Sequence, residues 1–208
     1  MIIKICGITR REDLEYLSEA GVDYCGFIFH PASPRSISPK DAAAFDSGSL
    51  KRVGVFVNQD YDEISRIRNE VGLDYLQLHG DQSRECAEKL GSENVIKVFW
   101  PQRYASRSEF ETDLDSWAPY CAAFLLDAGA NLGGSGKTLD WNALSETKFS
   151  RDWFLAGGLN PDNISDSLKA LTPAGIDLNS GVEASPGVKD HKKIGEILKI
   201  IRSRARHD

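Results

Sequence analysis

The stretch of sequence that decides between possible folds spans residues 153–181 and reads WFLAGGLNPDNISDSLKALTPAGIDLNSG. Two short, largely apolar runs, 153–156 and 175–178, are typical of strands, and a glycine-containing turn follows each of them. Between the runs, Asn160 and Pro161 form an N-cap and first-turn pair that opens an amphipathic helix. The stretch therefore predicts a strand, a helix and a second strand parallel to the first.

The same alternation of strand-like and helix-like segments extends outward from this stretch over the rest of the chain. Two other helices begin with a capping-box pattern, Thr9 with Glu12 and Asp60 with Glu63. Shorter helices are predicted near residues 39–45 and 141–145, and a last helix with one apolar stripe at residues 190–206. The eight predicted strands are residues 2–6, 24–29, 52–57, 75–78, 95–100, 122–127, 153–156 and 175–178.

Eight strand–helix units can form either an open, doubly wound sheet or a closed barrel. An open sheet usually carries a glycine-rich nucleotide loop after its first strand, and residues 6–9, CGIT, are not such a loop. Glycines cluster instead after strands six, seven and eight, at residues 133–136, 157–158 and 181. In a barrel these loops lie side by side at the C-terminal ends of the strands, where phosphate is commonly bound. We therefore predict an α/β protein with a single (β/α)₈ TIM barrel over residues 1–208 and its catalytic face at those strand ends.

Composition and charge exclude several classes of protein. The chain has 208 residues and a net charge of −6, whereas a general nucleic-acid binder needs a basic surface. We see neither a signal peptide nor a transmembrane segment in the sequence. The four cysteines are far apart and include no C-x-x-C pair, so a disulfide framework or a thiolate zinc site is not expected. We expect a cytoplasmic protein with no nucleic-acid or membrane partner.

Polar residues share one face of a strand, near its C-terminal end, in four of the predicted strands. They are Lys4 and Cys6 on strand one, Gln77 and His79 on strand four, Asp127 on strand six, and Asp177 and Asn179 on strand eight. If the apolar faces pack against the helices, these polar side chains converge inside the barrel. Buried polar groups are costly unless they are paired or used, so the set predicts a site. For Lys4, Gln77 or Asp177 taken singly, a purely structural hydrogen bond is an equally good interpretation.

A series of motifs along the whole chain resembles one family. The motifs are KICGIT at residues 4–9, GFIF at 26–29, SPR at 33–35, GVFV at 54–57, QLHG at 77–80, LD at 126–127, GGSGK at 133–137, DW at 140–141, LAGGL at 155–159, SGVE at 180–183 and PGVKD at 186–190. Together they resemble the phosphoribosylanthranilate isomerases of tryptophan biosynthesis. Asn179 departs from the pattern, since a small residue is common at that position in the family.

The resemblance implies a chemistry and the residues that perform it. The implied reaction is the Amadori rearrangement of N-(5-phosphoribosyl)anthranilate to 1-(2-carboxyphenylamino)-1-deoxyribulose 5-phosphate, with Cys6 as general base and Asp127 as general acid. Neither a cofactor nor a metal is implied, and the partner is a small phosphoribosyl substrate. The protein itself is expected to be a monomer or a homodimer. A carboxyl that donates a proton at neutral pH needs a raised pKa, and a thiol that accepts one must first ionise.

The remaining site residues implied by the resemblance bind the substrate. Arg35 is expected to bind the anthranilate carboxylate, and the backbone amides of Gly157, Gly158, Ser180 and Gly181 to bind the phosphate. Supporting roles fall to Lys4, Gln77, His79, Gly134 and Asp177. Ser180 and Glu183 also form a capping-box pattern, which predicts a short extra helix beside the phosphate. The long loop of residues 128–137 is expected to close over the substrate.

Two alternatives compete with this function. The histidine-pathway isomerase performs the same rearrangement on another phosphoribosyl amine, but that family typically has an aspartate base on strand one and phosphate sites in both halves of the barrel. Here Cys6 occupies strand one, and the glycine clusters lie in the second half only. A non-catalytic phosphate-binding barrel is the second alternative, and the presence of Cys6, Arg35 and Asp127 argues against it.

Overall fold

The computed structural model describes residues 1–127 and 141–204. Eight parallel strands form a closed barrel in the order β1 to β8, and the predicted TIM barrel is confirmed. Every predicted strand is present, with each end within one residue of its predicted position. The strands are β1 (Ile2–Ile5), β2 (Tyr24–Ile28), β3 (Lys51–Phe56), β4 (Tyr75–Leu78), β5 (Val95–Phe99), β6 (Ala123–Asp127), β7 (Asp152–Ala156) and β8 (Gly175–Leu178).

Helices follow the strands and cover the outside of the barrel. They are α1 (Arg11–Glu19), α2 (Pro39–Ala43), α3 (Tyr61–Val71), α4 (Arg84–Leu90), α5 (Arg107–Trp117), α6 (Trp141–Ser145), α7 (Ile164–Ala170) and α8 (His191–Arg204). Both faces of the sheet are buried. Outward-facing residues such as Ile5, Leu76 and Phe124 pack against the helices, while Val98, Leu125 and Phe154 belong to a separate cluster inside the barrel. Parallel strands are usually buried on both faces, so largely apolar strands such as these suit a parallel barrel.

The observed helix starts agree with the predicted capping patterns in some places and differ in others. Asp60 caps α3 as predicted, because its side chain accepts a hydrogen bond from the Glu63 amide at 2.9 Å. The predicted capping box of Thr9 and Glu12 is wrong. Helix α1 begins at Arg11 without a side-chain cap, and the Thr9 hydroxyl donates instead to the carbonyl oxygen of Gly187 at 2.6 Å.

The helix predicted after Asn160 begins later than expected. The Asn160 side chain accepts hydrogen bonds from the amides of Asp162 and Asn163, at 2.9 and 3.2 Å, as an N-cap would. Residues 161–163 nevertheless form a turn, and α7 begins at Ile164. Helix α8, predicted at residues 190–206, is described from His191 to Arg204.

A hairpin that the sequence did not predict lies between β8 and α8. Its strands, β9 (Glu183–Ser185) and β10 (Val188–Lys189), are antiparallel. The turn between them places Gly187 at a φ of +80°, a conformation that favours glycine. A Cβ atom at Gly187 would lie 3.1 Å from the Thr9 hydroxyl and 3.7 Å from the Pro34 carbonyl oxygen. The hairpin therefore packs against the loops that follow β1 and β2, at the mouth of the barrel.

Candidate active site

A buried group of Lys4, Cys6 and Asp177, the β1–β8 cluster, occupies one side of the barrel mouth. The Lys4 ammonium contacts an Asp177 carboxylate oxygen at 2.8 Å, and the two side chains are 0% and 7% exposed. Cys6 directly follows β1 and is buried, with its amide bound to the Leu178 carbonyl oxygen at 2.8 Å. Strands one and eight thus bring together the polar residues that the two-residue strand period placed on one face.

Gly26 makes room for this cluster. A Cβ atom at that position would lie 2.9 Å from the Cys6 sulfur and 3.2 Å from the Lys4 nitrogen. The same two distances show that the thiol and the ammonium share one small space beside β2. Gly26 belongs to the GFIF motif, but the motif does not indicate its role, because only the neighbouring strand shows what a side chain at that position would contact.

Burial and charge set the ionisation of the β1–β8 cluster. Burial raises the pKa of the Cys6 thiol, and the Lys4 ammonium only partly opposes that rise. For Lys4, burial favours the neutral amine, but the charge of Asp177 and its hydrogen bond to the ammonium raise the pKa. Burial also raises the pKa of Asp177, against the effect of Lys4. The Lys4 ammonium therefore favours a thiolate but is outweighed by burial, and Cys6 is a thiol at neutral pH in the free protein.

A second group, Gln77, His79 and Asp127, forms the β4–β6 cluster on another side of the mouth. The Gln77 amide nitrogen lies 3.3 Å from His79 Nδ1, and His79 Nε2 lies 3.6 Å from an Asp127 carboxylate oxygen. The His79 and Asp127 side chains are 28% and 21% exposed. Burial lowers the pKa of His79, although the Asp127 carboxylate opposes this, so the imidazole is neutral at neutral pH.

Internal hydrogen bonding does not account for every polar atom in the two clusters. Lys4 is paired with Asp177, which agrees with a purely structural hydrogen bond. The second carboxylate oxygen of Asp177, however, is buried and accepts no hydrogen bond from the described residues. The same holds for the side-chain oxygen of Gln77. A buried acceptor without a partner costs roughly 1–3 kcal/mol, so such atoms call for a role beyond folding.

The glycines predicted to bind phosphate lie at adjacent strand ends. Gly157 and Gly158, after β7, have φ angles of +88° and +67°. Gly181, after β8, packs so closely that a Cβ atom would lie 2.0 Å from the Leu159 carbonyl oxygen. The amides of Gly157, Gly158, Ser180 and Gly181 donate to no acceptor in the described part of the chain, which leaves them available to an anion.

The capping box predicted for Ser180 and Glu183 is wrong. Ser180–Val182 form only a single 3₁₀ turn without a side-chain cap. The Glu183 carboxylate instead binds two cations that are distant in sequence. It accepts from Arg35 Nη2 at 2.7 Å and from the Lys189 ammonium at 2.8 Å. Arg35 thus lies at the mouth, as expected, but with a carboxylate partner from the same chain.

One predicted residue, Gly134, lies outside the described residues. The same is true of the rest of the loop at residues 128–137 that was expected to close over the substrate. The described residues contain no group of three or more histidine, cysteine or acidic side chains that could hold a metal ion. Among the same residues, no helix is both long and apolar enough to cross a membrane.

Comparison with known proteins identifies the family. The model of the N-(5'-phosphoribosyl)anthranilate isomerase family matches residues 3–200. The chain belongs to this family. The enzyme of that name from Desulfovibrio desulfuricans is 48% identical over 200 residues, which cover 96% of this chain and 95% of the relative. The expected family is therefore confirmed, and with it the expected class of enzyme, an isomerase.

Solved structures of the family have the same fold. The phosphoribosylanthranilate isomerase from Thermotoga maritima is 37% identical, with a TM-score of 0.86, and the match covers 98% of this chain and 100% of that one. Another solved structure is a phosphoribosylanthranilate isomerase in complex with reduced 1-(o-carboxyphenylamino)-1-deoxyribulose 5-phosphate. It is 34% identical, with a TM-score of 0.81 and coverage of 98% and 100%. Family membership decides against the histidine-pathway alternative.

Proposed function

We propose that this protein converts N-(5-phosphoribosyl)anthranilate to 1-(2-carboxyphenylamino)-1-deoxyribulose 5-phosphate in tryptophan biosynthesis, with Asp127 as general acid and Cys6 as general base. The observation that carries the proposal is the placement of these two groups. Cys6 follows β1 and Asp127 ends β6, three strands away around the closed ring. A sugar bound over the mouth between them can therefore be protonated from one side and deprotonated from another.

The acid acts first. Asp127 donates a proton to the ribose ring oxygen, the bond from that oxygen to C1 breaks with its electron pair on the oxygen, and the nitrogen lone pair forms the C1=N iminium. The position of Asp127 suits this step, because a side chain 21% exposed at a strand end is within reach of a ligand in the mouth. A positioned general acid contributes about 10²–10⁴-fold to such a reaction.

The base acts on the iminium. The Cys6 thiol first releases its proton to solvent, and the resulting thiolate takes the C2 proton. The C2–H electrons then form a C1=C2 bond, and the iminium pair returns to nitrogen. Loss of the C2 hydroxyl proton and protonation of C1 then give the ketone, so the substrate is only rearranged and nothing is oxidised or reduced. The positive iminium lies next to the thiol at the moment when a thiolate is needed. An adjacent positive charge lowers a thiol pKa, so the intermediate offsets the effect of burial on Cys6.

The substrate's two anionic ends are assigned to the remaining residues. Arg35 binds the anthranilate carboxylate, and the amides of Gly157, Gly158, Ser180 and Gly181 bind the phosphate. The structure of the relative that contains a reduced product analogue supports a ligand with both groups. Support for the phosphate assignment also comes from the four amides, which have no acceptor among the described residues.

Loss of substrate fluorescence on isomerisation tests the function directly. The purified protein should convert phosphoribosylanthranilate with Michaelis–Menten kinetics in the presence of a chelator, and an inactive protein would contradict the proposal. A crystal soaked in sulfate tests the phosphate site separately. The anion should bind to the amides of Gly158 and Gly181, whereas an anion found only on exposed lysine or arginine side chains would contradict that assignment.

A further inference from the structure

The guanidinium of Arg35 is held along one edge by Glu183. Arg35 Nε donates to the two carboxylate oxygens at 2.9 and 3.0 Å, and Nη2 donates to one of them at 2.7 Å. The Glu183 side chain is 4% exposed and that of Arg35 is 20% exposed. Paired, charge-assisted hydrogen bonds of this kind fix the plane of a guanidinium as well as its position.

The other edge of the guanidinium has no partner in the described part of the chain. A guanidinium has five N–H groups, and the edge formed by Nε and Nη2 uses only part of them. Nη1 donates to none of the described residues, so the edge formed by Nη1 and Nη2 can donate hydrogen bonds to a second carboxylate. The Arg35 side chain also passes close to the backbone after Cys6, since a Cβ atom at Gly7 would lie 3.0 Å from Arg35 Cδ.

Lys189 supplies a second positive charge. Its ammonium donates to Glu183 at 2.8 Å and to the Asn179 side-chain oxygen at 3.0 Å, and its side chain is fully buried. Two cations and one carboxylate leave this group with a net positive charge. Without Lys189, Glu183 would neutralise Arg35, and an anionic ligand would gain little from binding there. Asn179, the residue that departs from the family pattern, is thus part of the same network.

We propose that Glu183 is a positioning residue for the substrate. It holds Arg35 with the Nη1–Nη2 edge available to the anthranilate carboxylate, and Lys189 restores the positive charge that Glu183 removes. The inference rests on the proposed function, because it requires a substrate that carries a carboxylate. It concerns two residues on the hairpin between β8 and α8, which contacts the loop of Arg35 through Glu183.

The sign of the effect separates positioning from simple charge. Glu183→Gln keeps the size of the side chain but removes its negative charge, so the group around Arg35 becomes more positive. If Glu183 acted only through its charge, an anionic substrate would bind more tightly to this variant. Positioning predicts the opposite, a KM about 10-fold higher with a smaller change in kcat, because charge-assisted hydrogen bonds to Arg35 are lost.

Steady-state kinetics of the wild type, Arg35→Ala, Glu183→Gln and the double variant provide the test. We expect the Arg35→Ala and double variants to have the same raised KM, because Glu183 acts through Arg35. If KM is raised in Arg35→Ala but unchanged or lower in Glu183→Gln, the positioning role of Glu183 is wrong, while the proposed role of Arg35 stands. An unchanged KM in Arg35→Ala would overturn the carboxylate assignment of the proposed function and the role of Glu183 with it.

Two further variants protect the test from effects on folding. Glu183→Gln combined with Lys189→Met removes both members of the buried pair, so no unpaired lysine remains and the net charge is unchanged. Its KM should still be raised, and a wild-type KM would contradict positioning. Asp74→Asn is the matched control, since Asp74 also binds a lysine, Lys51 at 2.9 Å, but precedes β4 at the opposite end of the barrel. Its KM should equal that of the wild type.

Discussion

The two polar clusters at the barrel mouth differ in burial and in coupling. In the β1–β8 cluster, Lys4 and Asp177 form a 2.8 Å ion pair with side chains 0% and 7% exposed. In the β4–β6 cluster, His79 and Asp127 are 3.6 Å apart and 28% and 21% exposed. One cluster is a buried, charged part of the barrel interior, and the other is a partly exposed group at the barrel mouth.

This difference agrees with the proposed division of work between the two sides. A proton donor must reach the ring oxygen of a bound sugar, which suits the more exposed Asp127. A base that acts only on the iminium can remain protonated and buried until that cation forms, which suits Cys6, whose pKa is raised by burial. Asp177 is bound to Lys4 and is better placed to keep the charge near Cys6 constant than to donate a proton.

Apart from the acid, the largest effect is expected at Cys6. Cys6→Ser keeps the approximate shape but replaces the thiol by a hydroxyl that is far less acidic, so kcat should fall about 10³-fold while binding of a product analogue survives. Cys25→Ser is the matched control, because Cys25 is also buried but packs in the outer core, and its kcat should not change. Near-normal turnover by Cys6→Ser would remove Cys6 from the mechanism.

The next effect concerns stability and depends on burial. Lys4→Met leaves Asp177 buried without its cation, which should cost about 3–5 kcal/mol in the free energy of unfolding. Lys51→Met breaks an ion pair of similar length, 2.9 Å, with side chains 56% and 32% exposed, and should cost less than about 1 kcal/mol. Urea denaturation measures both values. Equal costs would show that burial of the Lys4 pair is unimportant.

The same variant has a pH dependence whose sign follows from Asp177. Burial raises the pKa of Asp177 in the folded state, and without Lys4 the opposing effect of its charge is lost. A group with a raised folded-state pKa stabilises the fold when it is protonated and loses that contribution as the pH rises through the folded-state pKa. The stability deficit of Lys4→Met should therefore shrink in acid. A stability deficit of Lys4→Met that does not change with pH would show that the buried Asp177 carboxylate is not its cause.

A smaller shift is expected between two pH profiles of the wild type. The profile of kcat/KM reports the free enzyme, where burial raises the pKa of Cys6. The profile of kcat reports the complex, where we expect the cationic intermediate to lower that pKa. The acid limb of kcat should therefore lie about one pH unit or more below that of kcat/KM. If the acid limbs of the two profiles coincide, or if that of kcat lies at the higher pH, Cys6 is not a base that ionises only with substrate bound.

The smallest effect is expected at His79. Because burial lowers its pKa, the imidazole is neutral and adds little charge beside Asp127. His79→Gln should lower kcat by only about 2- to 5-fold, since a neutral hydrogen bond contributes about 1 kcal/mol. A loss of more than about 100-fold would mean that His79 and Asp127 act as one acid, and the β4–β6 cluster would then be as tightly coupled as the other.

Regular elements were predictable from the sequence, and irregular ones were not. The two-residue strand period placed Lys4 and Asp177 on inward faces, and their ion pair agrees with it. Strands of three and two residues in the hairpin carry no usable period, so it was missed. Glu183 was misinterpreted as a helix cap because a local pattern cannot reveal Arg35, which lies 148 positions earlier in the chain. Gly26 went unassigned for the same reason, since its role depends on side chains of the neighbouring strand.

The most direct test of the division between the two clusters is the ratio of kcat in Asp127→Asn and Asp177→Asn. Both substitutions keep size and remove the carboxyl, and both proteins should first be shown to be folded by circular dichroism and to bind a product analogue. We expect Asp127→Asn to lower kcat by about 10²–10⁴-fold with little change in KM, and Asp177→Asn to lower it by about 10-fold. If Asp177→Asn is the more damaging substitution, the acid lies in the β1–β8 cluster and the assignment of Asp127 is wrong.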